Sequence, residues 1–196
     1  MDRDGILKNS EEKLIYDQLL GLHRKLGTAF SENFNRSIPF TEEVFDRWER
    51  AKLLGFGEGT SIYDSAFVFG EVTVGKKCWI GPFTIIDGSG GLTIGDFCTI
   101  SAGVHIYTHD NVMQTLSSHV LPIVHDPVTI GNNTYVGPQS IIAKNVNIGA
   151  FSVVAANSFV NKSFDNYSII AGNPAKQIGL VKINDNKIEF EYFKEK

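Results

Sequence analysis

The sequence predicts a mainly β protein: a parallel β-helix preceded by helices and interrupted by one protruding loop. The chief observation is a period of six residues, since isoleucine or valine recurs at every sixth position over more than half of the chain. A hexapeptide period is typical of a β-helix, in which each hexad forms one short strand and one corner and successive coils stack. The aliphatic positions are Ile62, Val68, Val74, Ile80, Ile86, Ile94, Ile100, Ile106, Ile130, Val136, Ile142, Ile148, Val154 and Val160.

Two further observations agree with this period. Glycine follows several of the aliphatic residues, as at Gly75, Gly95 and Gly131, and we expect it to supply the backbone freedom that corners need. Four positions after the aliphatic residue stands a small or β-branched one, which suits a narrow interior. A β-sandwich would not hold so long a fixed register. The small positions are Ala66, Val72, Cys78, Thr84, Cys98, Val104, Ser140, Val146, Ser152 and Ser158.

Residues 1–56 lack the hexad period, and their pattern predicts helices. A first helix is predicted from Glu11 to Leu26, and a second begins after Thr41 and ends near Gly55. We expect this segment to cap the first coil, because an open end would expose apolar core and unpaired backbone groups. Contact with an acceptor substrate is the alternative role. The apolar stripe of the first helix consists of Leu14, Ile15, Leu19, Leu22 and Leu26.

The β-helix itself is predicted over residues 57–179, with one interruption. If the hexad at Val124 is counted as regular, residues 111–123 have no register and leave the helix as a loop. Loops of this length without structure of their own usually carry function. Residues 180–196 are predicted to form a hairpin or tail, with a turn at residues 184–186.

Composition argues against several classes of partner. The chain has 196 residues and a formal net charge of −4, so it offers no basic face for nucleic acid. No apolar stretch is long enough to span a membrane, and the first residues, Met1 to Asp4, do not resemble a signal peptide. We therefore expect a cytoplasmic protein with neither nucleic acid nor membrane as a partner.

The two cysteines occupy the same hexad position in neighbouring coils. Cys78 and Cys98 should therefore stack inside the helix, once two extra residues between Asp87 and Gly91 are allowed for. In a reducing cytoplasm we expect two small buried thiols rather than a disulfide or a metal site.

The main candidate for chemistry is His109, at the root of the predicted loop. Imidazole exchanges protons near neutral pH, so it can take a proton from an attacking hydroxyl or amine. A histidine on a corner is otherwise simply solvated, and the long loop beside His109 is what favours catalysis. Of the others, His105 lies inside a regular hexad and is expected to be structural. His119 and His125, in or just after the loop, are candidate substrate contacts.

A carboxylate is expected close to this histidine. The register puts Asp87 one coil before Tyr107, and so next to the corner of His109. Asp87 could orient the imidazole or bind a sugar hydroxyl or ammonium, or it could merely cap its own turn. Asp87 and Tyr107 join the candidate substrate-binding residues.

The chain resembles the hexapeptide-repeat acyltransferases, in particular sugar O- and N-acetyltransferases. The resemblance lies in the hexads, in the stretch from Ile94 to His109 and in residues 172–175 (Gly-Asn-Pro-Ala). This resemblance implies a left-handed β-helix, an exception to the usual right-handed crossover rule. It also implies acetyl-CoA as co-substrate and a histidine, here His109, that deprotonates the acceptor for direct attack on the thioester. Backbone amides would stabilise the oxyanion.

The same resemblance implies cofactor contacts. The backbone near Pro138 and Ala156 would lie along the pantetheine arm, and Lys162 and Lys176 would face the phosphates of coenzyme A. No P-loop or dinucleotide fingerprint is present, and no metal is expected.

The predicted function is acetyl transfer from acetyl-CoA to a sugar hydroxyl or amine, as on a nucleotide-linked sugar used for surface polysaccharide. The resemblance also implies a homotrimer with active sites between subunits. Acceptor recognition is not carried over, because Ile80 stands where the sugar O-acetyltransferases have an active-site asparagine, so O- and N-transfer both remain open.

Two alternatives use the same fold. One is a non-catalytic β-helix that serves as a scaffold or binding module. The other is a γ-type carbonic anhydrase with three histidines on zinc, but the spacing of the histidines from His105 to His125 does not match that family's one distant histidine plus a close pair.

Overall fold

The structure, a computed structural model, describes residues 6–7, 9–185 and 187–194. It divides into two compact units between Asp46 and Arg47, earlier than the expected end of the helical segment at residue 56. Two expectations fall on other residues: Met1 to Asp4, taken not to be a signal peptide, and Asn186 of the predicted turn lie outside the described residues.

The first unit contains two helices, α1 (Ser10–Phe34) and α2 (Phe40–Val44). The side chain of Asn9 caps α1 by accepting a hydrogen bond of 2.7 Å from the amide of Glu12. The predicted first helix is thus confirmed and extends well beyond its apolar stripe. Most of that stripe is exposed.

The second predicted helix is wrong as a single element. The chain forms α2 and then, in the second unit, α3 (Arg47–Leu53), with Phe45 extended after α2 at φ −100° and ψ 127°. Val44 and Phe45 are weak helix formers, because their side chains lose rotamer freedom in a helix. Arg50 of α3 donates hydrogen bonds to the backbone carbonyl oxygens of Tyr63 and Ala66, in the turn that follows Ile62. Within the second unit, α3 therefore packs on the first coil.

Residues 61–192 supply the strands, most of them two residues long. In chain order they are β1 (Ser61–Ile62), β2 (Phe67–Val74), β3 (Trp79–Ile80), β4 (Ile85–Ile94), β5 (Thr99–Ile100), β6 (His105–Ile106), β7 (His109–Asp110), β8 (Val124–His125), β9 (Val128–Ile130), β10 (Tyr135–Val136), β11 (Ile141–Ile142), β12 (Asn147–Ile148), β13 (Val153–Val154), β14 (Phe159–Val160), β15 (Ser168–Gly172), β16 (Ala175–Asn184) and β17 (Lys187–Tyr192), with α4 (Val112–Leu116) between β7 and β8.

These strands form three parallel faces. The first face consists of β1, β3, β5, β10, β13 and β15. The second consists of the first residues of β2 and β4, then β6, β11 and β14. The third consists of the last residues of β2 and β4, then β9 and β12. We call the turn after each face the first, second and third corner. The fold is the parallel β-helix that the hexads predict, left-handed as the family resemblance implies, with about six turns.

The interior confirms the hexad pattern. All the aliphatic positions are buried except Val68, which packs against the core. The small positions between them are buried too, apart from the partly buried Val72. Cys78 and Cys98 stack as free thiols, with the amide of Cys98 donating to Sγ of Cys78 at 3.4 Å.

The glycines that follow the aliphatic residues have a different role from the one predicted. Gly95 and Gly131 do not have positive φ angles, and the left-handed conformation falls two positions later, on Phe97 (φ 58°) and Asn133 (φ 56°). A Cβ on Gly131 would lie 2.4 Å from the amide nitrogen of Ala150 in the next coil. Glycine is needed there because neighbouring coils approach so closely.

After the last coil the first sheet continues into the antiparallel strands β16 and β17. The predicted hairpin is therefore present, although its first strand begins earlier than expected, at Ala175. Among the described residues, no helix is long and apolar enough to cross a membrane.

Gly131→Ala is expected to destabilise the protein by about 1–3 kcal/mol, because the added methyl group must push two coils apart. The matched control is Gly21→Ala in α1, where a Cβ meets nothing within 4 Å. That change should be neutral or stabilising by up to about 1 kcal/mol. Urea unfolding of the three proteins measures both effects, and equal stabilities for the two variants would contradict the close-approach argument.

Candidate active site

The chain leaves the β-helix after β6, at the second corner of the third coil, and returns at β9. The residues between these strands, 107–127, form the excursion. The expected loop, residues 111–123, is too short: Val124 does not continue a coil but pairs with Asp110 in the ribbon of β7 and β8. The loop also has structure of its own, namely α4. The hexad count failed because Val124 precedes Ile130 by six residues, a spacing that does not distinguish a ribbon from a coil.

Asp87 is the buried acceptor at this corner. It lies in β4, one coil before the excursion, and its side chain is 2% exposed. Its Oδ2 accepts a hydrogen bond from the amide of Thr108 at 2.8 Å and lies 2.8 Å from Nδ1 of His109. Its Oδ1 accepts hydrogen bonds from the amide and hydroxyl of Ser89, at 3.0 and 2.5 Å. Asp87 thus ties its own corner to the first residues of the excursion.

The carboxyl group of Asp87 is ionised at neutral pH. Burial by itself would raise its pKa, but hydrogen bonds from Ser89, Thr108 and His109 outweigh burial and hold the pKa of Asp87 well below its ordinary value. An ionised carboxylate only accepts hydrogen bonds, so Nδ1 of His109 must be the donor in this contact. Nε2 of the neutral imidazole then keeps its lone pair.

The imidazole of His109 is held from two sides but remains accessible. Its side chain is 38% exposed, in contrast to the carboxylate that it contacts. On the ribbon it lies opposite His125, and the two rings stack with their centroids 5.7 Å apart and their planes at 27°. The stack and the bond to Asp87 together fix the direction of Nε2.

Lys144 lies beside this pair of histidines. It follows β11 at the place where Thr108 follows β6, one coil further along the second corner. Its Nζ lies 2.6 Å from Oδ2 of Asp126 and 3.6 Å from Oδ2 of Asp110. The hydrogen bond to Asp126 raises the pKa of Lys144, so the amine is protonated at neutral pH.

The two lysines expected near phosphate groups line one groove. Lys162 follows β14 in the same register as Lys144 follows β11, again at the second corner. Together with Ser163 and Lys176 it lines an open groove of about 520 Å³. The second corner therefore carries His109, Lys144 and Lys162 on three successive coils.

Pro138 and Ala156 lie on a different corner. They follow β10 and β13 in matching register, so both belong to the first corner, on successive coils. The second face separates them from His109 and Lys162 of the same chain. The structure therefore does not bring the four expected coenzyme A contacts together within one chain.

Two other candidates lie around the excursion. Tyr107 lies one coil from Asp87, as the register predicts, but its hydroxyl is 3.3 Å from Nδ1 of His105 and the two rings meet edge to face. His119 follows α4, with a φ angle of 67° and an exposed side chain. Within the described part of the chain, no hydrogen bond or ring contact joins either side chain to His109.

Three residues at this corner were missed from the sequence: Ser89, Thr108 and Lys144. A signal existed for all of them, because the count that aligns Asp87 with Tyr107 also puts these residues at the second corner. Only the ion pairs of Lys144 had no signal, since they depend on the path of the excursion.

Two family models match the chain. Residues 122–162 match the model described as Bacterial transferase hexapeptide (six repeats), and residues 71–108 match the Hexapeptide repeat of succinyl-transferase. These segments lie on both sides of α4 and include Asp87, Thr108 and Lys144.

Comparison with known proteins extends the match to nearly the whole chain. It is 31% identical over 196 residues to the galactoside O-acetyltransferase of Escherichia coli K12, covering 93% of this chain and 92% of that protein. It is also similar to the structure of the N-acyltransferase AntD of Bacillus cereus in complex with dTDP and 3-hydroxybutyryl-CoA. The identity is 24%, the match covers 69% of this chain and 90% of that one, and the TM-score is 0.58.

A further similar structure is a hexapeptide-repeat acetyltransferase of Vibrio cholerae complexed with acetyl coenzyme A. Here the identity is 21%, the coverage is 89% of this chain and 91% of that one, and the TM-score is 0.52. At such identities the two structures support the fold alone, and the match to the Escherichia coli protein carries the relationship.

Asp87→Asn is expected to lower the free energy of unfolding at pH 7 by about 2 kcal/mol, because the amide cannot accept every bond that the carboxylate accepts. The lowered pKa of Asp87 means that the ionised form stabilises the fold above its ordinary pKa of ~3.9. That contribution disappears as the pH falls towards the folded-state value. Urea unfolding at pH 7 and pH 3.5 should show a smaller difference between the two proteins at the lower pH; a constant difference would contradict this account.

Proposed function

Since the chain belongs to the hexapeptide-repeat family of acetyltransferases, we propose that it transfers an acetyl group from acetyl-CoA to a hydroxyl or amino group of a sugar, with His109 as the general base. The single observation that carries the role of His109 is its contact of 2.8 Å with the buried, ionised Asp87. This pair lies at the root of the excursion, where an acceptor has access from solvent.

Acetyl-CoA supplies the acetyl group as a thioester. Nε2 of His109 takes the proton from the acceptor as its oxygen or nitrogen attacks the carbonyl carbon. The imidazolium that forms is stabilised by the carboxylate of Asp87, which also keeps the ring in one orientation. The same imidazolium gives its proton to the departing thiolate, so the histidine ends the cycle neutral.

The phosphates of coenzyme A are proposed to lie at the groove of Lys162 and Lys176. Two lysines and Ser163 line this groove together with one carboxylate residue, Asp165, and the ammonium and hydroxyl groups suit phosphate oxygens. Because Lys162 and His109 share the second corner, a long ligand held there by its phosphates can reach the imidazole along the corner.

The acceptor is proposed to be a sugar on the strength of the relatives. The Escherichia coli relative is named for O-transfer to a galactoside, and AntD is an N-acyltransferase whose structure holds dTDP. A base at His109 serves either transfer, because an alcohol and an amine attack the same thioester. His125, His119, Tyr107 and Asp87 are the proposed acceptor contacts, although Asp87 is already fully engaged with its own corner and with His109. A nucleotide-linked sugar for surface polysaccharide and a cytoplasmic location stay predictions.

A homotrimer is proposed because one chain does not complete the coenzyme A site. If Pro138 and Ala156 contact the pantetheine arm, they must come from the first corner of one copy, while His109 and Lys162 come from the second corner of another. This arrangement packs subunits so that every site is shared.

The outward row of the second face supports such packing. It is largely apolar, with one side chain per coil in register, whereas the outward row of the third face is polar. An apolar row that joins the two corners in question favours contact with another copy. The second-face row is Phe67, Ile85, His105, Ile141 and Phe159, and the third-face row is Thr73, Thr93, Thr129 and Asn147.

Thiol release from acetyl-CoA, measured with free sugars, nucleotide-linked amino sugars and their hydroxy counterparts, tests the proposed function. His109→Ala should lower kcat by about 10²–10⁴-fold and leave the Kd of coenzyme A nearly unchanged, because the base acts only in the chemical step. His23→Gln, a histidine of the first unit, is the matched control. Full activity of the His109 variant would remove its role as base, and coenzyme A binding with no turnover on any acceptor would favour a binding protein.

Subunit complementation tests the shared site. Ala156→Arg should block the first corner and His109→Ala should remove the base, so each variant alone is expected to be inactive. Mixed trimers, obtained by co-expression with two different tags, should recover a site that has both an intact first corner and an intact His109. Activity that stays at background in purified mixed oligomers, or a monomeric mass by light scattering, would contradict the shared site.

A further inference from the structure

One ammonium group bridges the two ends of the excursion. Nζ of Lys144 contacts Oδ2 of Asp126 at 2.6 Å and Oδ2 of Asp110 at 3.6 Å, and the lysine side chain is only 23% exposed. Lys144 belongs to the coil beyond the excursion and is therefore held by the rigid frame. Asp110 and Asp126 both belong to the excursion, near its start and its end.

Each of these carboxylates follows a histidine of the stacked pair. Asp110 comes directly after His109, and Asp126 comes directly after His125. Lys144 therefore fixes the residue next to each imidazole, without contacting either ring by a hydrogen bond.

Asp87 holds the start of the excursion through Thr108 and His109. Besides Lys144 and the stacked imidazoles, only a short ribbon joins the start to the end in the described part of the chain. The ribbon of β7 and β8 contains two residue pairs, and the amide of Asp126 donates a further hydrogen bond to the carbonyl oxygen of Thr108 at 2.9 Å. A ribbon this short is not stable by itself. Without the ammonium, two carboxylates would also face one another there, and their repulsion would drive the strands apart.

We propose that Lys144 is a positioning residue: it clamps the start and end of the excursion so that His109 and His125 stay stacked and Nε2 of His109 keeps its direction. Lys144 acts through Asp110 and Asp126 and does not touch the substrates. The catalytic half of this inference rests on the proposed role of His109, whereas the structural half does not.

The first test is Lys144→Met, which keeps the length of the side chain and removes its charge. Its kcat should fall about 10–100-fold, because a small displacement of a catalytic base costs that much. The KM for acetyl-CoA should stay within about twofold, since the clamp does not bind it. Lys144→Arg, whose guanidinium can bridge two carboxylates, should retain most of kcat.

A rescue variant separates a clamp from direct binding of coenzyme A. In Asp110→Asn/Lys144→Met/Asp126→Asn the repulsion is gone, and asparagine can still accept the hydrogen bond that Asp110 accepts from the amide of Val112. This variant should recover most of kcat. Failure to recover, together with a raised KM for acetyl-CoA in Lys144→Met, would overturn the clamp in favour of a direct contact.

Thermolysin cleavage within residues 111–123, located by mass spectrometry, measures the clamp without any activity. Cleavage there should be about tenfold faster in Lys144→Met than in the wild type and should return towards the wild-type rate in the rescue variant. Lys76→Met is the matched control, because Lys76 forms an ion pair of 3.9 Å with Asp96 at another corner. An unchanged cleavage rate in Lys144→Met would overturn the clamp. If the wild-type protein is inactive on every acceptor, that result counts against the proposed function alone. The cleavage rates still test whether Lys144 clamps the excursion.

Discussion

Each coil of the β-helix donates backbone hydrogen bonds to the coil that follows, and this parallel stacking is the constraint on which the other features depend. At the third corner, for example, the amide of Gly95 bonds to the carbonyl oxygen of Ile130 at 2.8 Å, and that of Gly131 bonds to Ile148 at 2.8 Å. Coils this close leave no room for a Cβ at those positions. The position of each coil along the axis of the β-helix is therefore set by the coils before and after it.

The candidate site uses this frame and one departure from it. Asp87 belongs to the frame: it is buried, ionised and bonded to its own turn through Ser89. His109 belongs to the excursion, and its side chain remains partly exposed to solvent. The short contact between them joins a buried carboxylate of the frame to a partly exposed imidazole, and Lys144 of the next coil contacts two carboxylates of the excursion in turn.

Features that depend on spacing could be predicted from the sequence, and features that depend on direction could not. The hexads locate the core, the cysteine stack and the adjacency of Asp87 and His109. With a fixed period, the number of residues between two positions gives the number of coils between them. The return path of the excursion has no such period, so Val124 was assigned to a coil and Asp126 was overlooked. Counting hexads could also have assigned Pro138 and Ala156 to one corner, but only the arrangement of the three faces shows that this corner differs from the one that carries His109 and Lys162.

The hairpin of β16 and β17 closes one face of the stack of coils. A parallel coil leaves a row of unpaired backbone groups identical to those inside the stack, so its end is a template on which another molecule's first coil could grow. Here β16 reverses direction against β15, which removes the parallel register on that face. The outer strand β17 then presents lysine and glutamate on one side, at Lys187, Glu189 and Glu191. On the first face, the hairpin thus replaces an open parallel end with an antiparallel one.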